Sequence, residues 1–567
     1  MTEGTDMITS GLRTTLAQLN PVVGDIVGNL EKIRETYFDA DARGSDLVVT
    51  PELSLTGYPL EDLANTGEVL DAAAIAVEVL KKATRGRHAV LLVGVPLRDD
   101  DNVYNAVVAL GDGKLLAVVR KKHLPNYGVF DEKRNFSPDP GPQRPITVNG
   151  VRIGVIICED CWTADVAAEL HQNGAQLLVV ANASPFRPCI LESRVRDVAR
   201  PRVTETGLPL LYVNTVGGQD EVVFDGGSFF MNAAGERLLQ LPQWEECVMD
   251  CDTSQSVEAL SDGAFPEPNE GIWRAMVLGL RDYVRKSGFT DVVLGLSGGM
   301  DSAAVAAVAG DALGAEHVHC VRLPSAYTSE LSNRVARDMC DIWGISLDTV
   351  PINPVVEAAV SGLCHMALDG LKKLSMENMQ ARIRGFLLMT LSNDRDWLLL
   401  STGNKSEIAV GYATLYGDMC GGYNPLKDVF KTTVYAVSAW RNANRPHGLF
   451  GPDGVVIPQE IIDRPPSAEL SPGQLDTDSL PPYPVLDAIL RELVEEQASV
   501  EDIIAKGHPG EVVLRVYRML KRAEYKRRQG APGPKTTYRA FTRDRRVPIV
   551  NGFDPAMRQT LSGMLGE

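Results

Sequence analysis

The stretch Asp291-Val292-Val293-Leu294-Gly295-Leu296-Ser297-Gly298-Gly299-Met300-Asp301-Ser302, with the alanine-rich run Ala303–Leu313 after it, decides the fold of the second half of the chain. Six apolar residues bounded by small and polar ones predict a buried strand over Asp291–Leu296, a tight loop over Ser297–Ser302 and a helix over Ala303–Leu313. Helical periodicity over Trp273–Lys286 precedes it, and further buried strands are expected at His317–Leu323 and Trp397–Ser401. Strand, loop, helix, strand opens a doubly wound parallel sheet, in which ligands bind beyond the carboxyl ends of the strands. Two glycines, two serine hydroxyls and the unpaired N–H groups of a helix start suit an anion such as pyrophosphate, although the same residues could merely cap the helix. The loop has neither G-x-x-x-x-G-K-[ST] nor G-x-G-x-x-G, which excludes a Walker-type site and a dinucleotide-binding Rossmann unit. An aspartate here, Asp301, points to Mg²⁺ bridging phosphate oxygens.

Further motifs follow in order: Glu377-Asn378-Met379-Gln380-Ala381-Arg382-Ile383-Arg384, Ser401-Thr402-Gly403-Asn404-Lys405-Ser406-Glu407, Tyr416-Gly417-Asp418, Asn424-Pro425-Leu426 with Lys431, Pro465-Pro466-Ser467-Ala468-Glu469-Leu470 and Asp544-Arg545-Arg546. The SGGxDS loop resembles that of the N-type ATP pyrophosphatases, and the whole series resembles the NAD⁺ synthetase family. The resemblance implies an adenine nucleotide alpha hydrolase-like fold. It also implies that Gly295, Leu296, Ser297, Gly298, Gly299, Met300, Asp301 and Ser302 hold ATP together with Thr402 and Lys431. Asn378, Glu407, Asp418 and Lys526 would contact deamido-NAD⁺, and Asp301 and Glu407 would bind Mg²⁺. Arg464 stands where the family usually has Lys, a change that keeps the charge.

In the first half, short β-rich runs alternate with helical stretches, and Gly111-Asp112-Gly113 marks a hairpin between Val103–Leu110 and Lys114–Val119. Three runs end in chemistry: Glu52 after Leu47–Pro51 begins to close, Lys121 after Lys114–Val119, and Cys158 closing Ile153–Cys158. If these strands were neighbours in one sheet, the three side chains could meet at its edge. Glu52 as base and Lys121 as cation would then activate Cys158 as a nucleophile. The surroundings PELxLTGYP, K-x-H-L and ICED resemble the nitrilase/amidase superfamily, which implies an αββα sandwich with a Glu-Lys-Cys triad. Tyr127, Phe130, Glu132 and Ser184 resemble the glutamine pocket of glutaminase domains joined to NAD⁺ synthetase, with Tyr127 as a wall and Glu132 pairing the substrate amino group. A basic residue usual six positions after that serine is Ile190 here, so Arg187 or Arg194 is the expected clamp for the glutamine carboxylate.

Length and charge agree with this picture. At roughly 100–200 residues per domain, 567 residues require several cores. With 44% hydrophobic and 23% charged residues the chain is globular rather than disordered. A net charge of −18 argues against a nucleic-acid partner, the only strongly basic stretch being Lys521–Arg528. No run approaches the roughly 18 apolar residues of a membrane span, and Met1–Leu12 has no apolar core of a secretory signal, so the expected location is the cytoplasm. Nine sparse cysteines suit that compartment, and Cys158-x-x-Cys161 without a second pair makes a metal site a minor alternative. Ser, Asp, Gly, Pro and Glu over 255–270 predict a linker between an 11–254 domain and a 271–567 domain, and Arg464–Tyr483 reads as a surface loop, ordered or in part disordered. Together the resemblances imply an α/β enzyme that uses ATP and Mg²⁺ to amidate deamido-NAD⁺ with ammonia from L-glutamine, in a homo-oligomer built on dimers of synthetase domains. A glutamine-dependent ATP amidotransferase acting on another acceptor is the alternative.

Overall fold

The computed structural model describes residues 11–255, 258–261, 265–363, 366, 370–555 and 557–564. Met1–Ser10, on which the reading of the amino terminus rests, and linker positions Ser256, Val257 and Asp262–Ala264 lie outside the described residues. The chain divides between Glu267 and Pro268 into two compact units. Among the described residues no helix is long and apolar enough to cross a membrane.

The first unit is built on two six-stranded sheets. One runs in the order Cys247–Asp252, Arg13–Gln18, Leu47–Val49, Val90–Asp99, Asn102–Gly111, Lys114–Arg120; the other runs Arg237–Gln240, Phe229–Met231, Leu210–Asn214, Leu177–Asn182, Val151–Ile157, Ile146–Val148. Their facing sides share one apolar core, in which Leu16, Val49, Leu92 and Val107 of the first sheet pack with Val155, Ile157, Val179 and Val213 of the second. Because both faces of the central strands are covered, those strands read as unbroken apolar runs rather than alternating ones. The outer face of the first sheet is covered by helices Ile26–Ala42 and Gly67–Ala83. Leu30, Ile33, Tyr37 and Ala40, at helical spacing, turn one stripe of the former inward, and Asp25 caps it by accepting from the Gly28 N–H. Helices Ala164–Gln172 and Arg200–Thr206 cover the second sheet, giving the αββα layering expected from the sequence. The hairpin at Gly111-Asp112-Gly113 forms, with φ +46° at Asp112 and +72° at Gly113. Sequence reading missed Ile146–Val148, Val216–Gln219, Val222–Asp225, Arg237–Gln240 and Cys247–Asp252, which are short and carry weak period-two patterns.

The second unit holds a four-stranded, all-parallel sheet in the order Ser346–Thr349, Val318–Arg322, Val292–Gly295, Leu398–Leu399. Helices Pro268–Lys286, Met300–Leu313 and Lys431–Ala443 cover one face, and Lys373–Arg395 the other. Numbered by sequence the strand order is 3-2-1-4, so the order reverses between the parallel strands Val292–Gly295 and Leu398–Leu399, the crevice where doubly wound sheets bind ligands. Helix Met300–Leu313 starts three residues before the predicted position, which moves Met300, Asp301 and Ser302 from the loop into its first turn. The predicted strand Trp397–Ser401 shrinks to Leu398–Leu399, and Ser346–Thr349 is an edge strand that its polar residues concealed.

Gly94, in strand Val90–Asp99, sits where a Cβ would lie 2.3 Å from the Leu53 nitrogen and 2.4 Å from the Pro51 carbonyl oxygen. It lets the backbone around Glu52 lie directly on the strand. Gly94→Ala is therefore expected to destabilise the first unit by about 1–3 kcal/mol, read as a lowered first transition in thermal unfolding of the full chain; an unchanged transition would show that the Pro51–Leu53 backbone yields freely.

Candidate active site

In the first unit the three predicted side chains come together, but not at the edge of one sheet. Glu52 and Lys121 follow strands Leu47–Val49 and Lys114–Arg120 of the first sheet, which are separated by two other strands, while Cys158 follows Val151–Ile157 of the second. They meet between the two layers because all three strands end at the same end of the sandwich. Lys121 is the hub. Its Nζ donates to Glu52 Oε1 at 2.6 Å and to Glu132 Oε1 at 2.8 Å, and all three side chains are buried. Asn105 Nδ2 donates to Glu52 Oε1 at 2.7 Å and the Ala183 N–H to Oε2 at 3.0 Å, so both carboxylate oxygens are held. Burial alone would lower the Lys121 ammonium, yet Glu132 and Glu52 keep it well above its usual range.

Cys158 begins a short turn, Cys158–Cys161, with φ +42°, a left-handed conformation that strains a residue with a Cβ. Burial, reinforced by the charge of Glu52 and opposed by Lys121, pushes its thiol well above the usual range. At rest the group is a thiol, so a nucleophilic reaction needs a base within reach, and Glu52 is the carboxylate placed for it. Cys161, the other half of C-x-x-C, is buried and raised to about 12 by that burial, an inert thiol.

Around this centre the structure qualifies two readings. Glu132 is not wholly free: its Oε1 accepts from Lys121 and, at 2.8 Å, from the Tyr58 hydroxyl, while its buried Oε2 has no partner among the described residues and is the oxygen left for a substrate amino group. Burial, with repulsion from Glu52 against attraction by Lys121, raises it to about 7. Arg194 is not an open clamp either. It is fully buried, its two terminal nitrogens donating to Asp225 at 3.0 and 2.8 Å and its Nε to Ser184 Oγ at 3.1 Å, so it orients Ser184. Tyr127 lies at the rim, exposed, with its ring edge-on to Phe130 at 5.5 Å and its hydroxyl donating to both Glu159 oxygens. Sequence reasoning passed over Tyr58, Asn105, Asp160 and Asp225. A signal existed for Asn105, a lone amide inside an apolar strand; none existed for Asp225. Asp160 accepts from the backbone N–H of Lys122 at 3.2 Å and of His123 at 2.7 Å, fastening the segment after Lys121 to the turn that carries Cys158. Burial raises its carboxyl to about 6 against these N–H donors.

In the second unit a cavity of about 630 Å³ opens at the carboxyl ends of the strands. Gly295, Leu296, Ser297, Gly299, Met300, Asp301 and Ser302 line it, as do Thr402, Asn378, Glu407, Asp418, Lys431 and Lys526. Gly298 does not. With φ +80° and a Cβ position 2.5 Å from the Ser332 carbonyl oxygen, it shapes the loop from behind. Lys431 Nζ pairs with Asp301 and, at 3.4 Å, with Glu407 Oε1, while Asn404 Nδ2 donates to Asp301 Oδ1 at 3.1 Å. Glu407 also closes a capping box with Asn404 at the start of helix Lys405–Val410. Burial and the nearby Asp301 raise its carboxyl to about 8, opposed by Lys431. Two carboxylates converging on one cation form a hard-oxygen donor pair, which fits Mg²⁺ completed by phosphate oxygens and water.

The Arg464–Tyr483 segment is not a peripheral surface loop: Arg464 to Leu470, Gln474 and Asp476 form cavity wall, and the Asp476 carboxylate is buried and accepts from the Tyr483 hydroxyl at 2.8 Å. Arg464 pairs with Glu469 and donates to Ser332 Oγ. Arg545 pairs with Glu524 at 2.8 Å and Arg546 donates to the Arg543 carbonyl; neither lines the cavity.

Comparison with known proteins matches residues 13–260 to the carbon-nitrogen hydrolase family and residues 272–530 to the NAD synthase family. The glutamine-dependent NAD(+) synthetase of Rhodobacter capsulatus is 48% identical over 96% of this chain and 99% of its own. That of Xanthomonas campestris is 44% identical over 96% of this chain and 98% of its own. Among solved structures, the glutamine-dependent NAD⁺ synthetase of Acinetobacter baumannii in complex with ADP is 39% identical, covers 96% of this chain and 99% of its own, and superposes with a TM-score of 0.74.

Asp160 offers a test of how the first site is held. Asp160→Ala is expected to lower ammonia release from a carboxamide substrate by at least about tenfold, as loss of a buried acceptor of two N–H groups would. Asp160→Asn keeps an acceptor oxygen and should retain most of the rate; equal loss in both variants would assign the effect to charge instead of to geometry.

Proposed function

The chain belongs to the glutamine-dependent NAD⁺ synthetases, and from that premise we propose how its own residues divide the reaction. The enzyme amidates deamido-NAD⁺ to NAD⁺ with ATP, taking ammonia from L-glutamine and leaving AMP, pyrophosphate and glutamate. The observation that carries the reading is that a buried Glu52–Lys121–Cys158 centre and an SGGxDS-lined cavity occur in one chain matched along nearly its full length by these synthetases.

In the first unit Cys158 Sγ attacks the glutamine carboxamide carbon while Glu52 takes the thiol proton. The Lys121 ammonium stabilises the tetrahedral oxyanion. Glu52 returns the proton to the leaving nitrogen, ammonia departs, and a thioester remains. Water, deprotonated by Glu52, then cleaves the thioester to glutamate and restores the thiol. Glu132 and Tyr58 keep Lys121 charged and in place, which is the role their contacts support. Tyr127, Phe130 and Ser184 shape the glutamine pocket, and Arg187, with Arg194 committed to Asp225, is the clamp for its carboxylate. Unaltered glutamine KM in Arg187→Ala would remove that last assignment.

In the second unit the loop Ser297–Ser302 and Thr402 hold ATP, and Asn378, Asp418 and Lys526 hold deamido-NAD⁺ near Glu407. The nicotinate carboxylate attacks the α-phosphorus, expelling pyrophosphate and forming a nicotinyl adenylate, and ammonia displaces AMP. Lys431 and the N–H groups at the start of helix Met300–Leu313 stabilise the charge that develops at phosphorus. Mg²⁺ on Asp301 and Glu407 would supply further neutralisation of phosphate charge when bound. Free ammonia is mostly protonated near neutral pH, so a route that excludes water between the two reactions preserves the nucleophile. The same reading places the enzyme in a reducing cytoplasm, which keeps a catalytic thiol free, and in a homo-oligomer built on dimers of the second unit.

The test follows NAD⁺ formation from deamido-NAD⁺, ATP and ¹⁵N-amide glutamine, with ammonium as the alternative donor. Cys158→Ala should reduce glutamine-supported synthesis by at least about a thousandfold and leave ammonium-supported synthesis within about twofold of the parent enzyme. Parallel loss with both donors would refute the division of labour.

A further inference from the structure

Arg384 lies on helix Lys373–Arg395, is half-buried, and lines the second unit's cavity. Its Nε donates to the Leu323 carbonyl at 3.1 Å, just beyond the end of strand Val318–Arg322 and therefore on the ligand side of the sheet. The helix is fixed at this point: a Cβ on the next residue, Gly385, would lie 2.9 Å from the Gly417 carbonyl oxygen and 3.0 Å from that of Tyr416. The guanidinium is thus presented from a rigid element.

Its charge is not answered by the protein. Among the described residues no carboxylate lies within ion-pair distance of Arg384, whereas Lys431 has Asp301 and Glu407, and Arg464 has Glu469. Burial pushes the group down to about 10, opposed only by the field of Glu469, which is itself held by Arg464 and Ser332. A cation taken out of water without a counter-ion is costly, and a bound anion removes that cost. Arginine's planar fork matches phosphate oxygens two at a time, and with Nε engaged on Leu323 the terminal nitrogens remain for the ligand.

We propose that Arg384 is a phosphate-binding residue of the nucleotide cavity, receiving a phosphate group of ATP or of the dinucleotide substrate. The proposal rests on the reading of this cavity as the synthetase site.

The experiment measures, by calorimetry on the full chain, the affinity of the parent enzyme, Arg384→Gln and Arg384→Lys for ADP, inorganic pyrophosphate and deamido-NAD⁺. Arg384→Gln retains a donor for Leu323 and loses the charge; Arg384→Lys retains the charge and loses the fork. The expected result is at least about tenfold weaker binding of one phosphate ligand in Arg384→Gln, partial recovery in Arg384→Lys and an unchanged melting temperature. Weakening of ADP or pyrophosphate identifies ATP as the source of the phosphate; weakening of deamido-NAD⁺ alone identifies the dinucleotide. Smaller changes for all three ligands in Arg384→Gln would overturn the proposal. Binding by the parent enzyme without NAD⁺ formation would instead overturn the assigned reaction while leaving this result interpretable.

Discussion

One ammonium held between two buried carboxylates fixes the chemistry of the first unit. Lys121 pairs with Glu52 and Glu132 at once, and removing the cation from such a buried set costs about 3–5 kcal/mol because uncompensated carboxylate charge is left behind. The surrounding architecture serves that triad. Two sheets contribute strand ends from opposite layers, Gly94 lets the Glu52 backbone approach its neighbour, and the Ala183 N–H and Asn105 leave Glu52 one orientation. A thiol brought into this field is held protonated, so Glu52, the neighbour that raises it, is also the carboxylate that the proposed reaction uses as its base.

The second unit repeats the device with a different degree of enclosure. Lys431 also lies between two carboxylates, Asp301 and Glu407, but this cluster lines a cavity, whereas the side chains of Lys121, Glu52 and Glu132 are almost wholly buried. A triad packed that closely holds one fixed polarity. A cluster at a cavity wall can exchange partners, so the same carboxylates can hold a divalent cation while the lysine turns to phosphate. Its position follows from topology: Asp301 lies in the first turn of the helix after the first strand and Glu407 in that of the helix after the fourth, on either side of the point where the strand order reverses.

Sequence carried the parts of this that are local. SGGxDS, ICED and the lysine of K-x-H-L each sit at the end of an apolar run, and their placement at strand ends could be read from periodicity alone. What sequence could not carry was which strand ends meet. Periodicity allows Cys158, Glu52 and Lys121 to meet if their strands share a sheet, whereas Cys158 comes from the facing layer, a distinction that period-two patterns do not encode. Partners were likewise hidden: nothing in the sequence joins Glu132 to the Tyr58 hydroxyl or Arg194 to Asp225, which lie 74 and 31 residues away. The Pro- and Asp-rich Arg464–Tyr483 segment reads as peripheral by composition, yet Arg464 to Leu470 line the cavity and Asp476 is buried beside it, held by the Tyr483 hydroxyl.

The net charge of −18 acquires a meaning once the cavity is described. An acidic surface repels polyanionic substrates at long range, but at physiological ionic strength that repulsion fades within about 8 Å. Affinity must then come from cations inside the cavity, where the local dielectric is low and screening weak. Those cations differ in what holds them. Lys431 and Arg464 are neutralised in place by carboxylates, whereas Lys526 donates to the Gly411 and Ala413 carbonyls and Arg384 to that of Leu323, contacts that orient a charge without cancelling it. Oriented but uncancelled charge is what a site needs to favour an anion over water, and among the described residues the cavity wall carries it at Arg322, bonded to Asn333, and Arg382, bonded to the Leu415 carbonyl, as well as at Lys526 and Arg384; a screened acidic exterior does not cancel it.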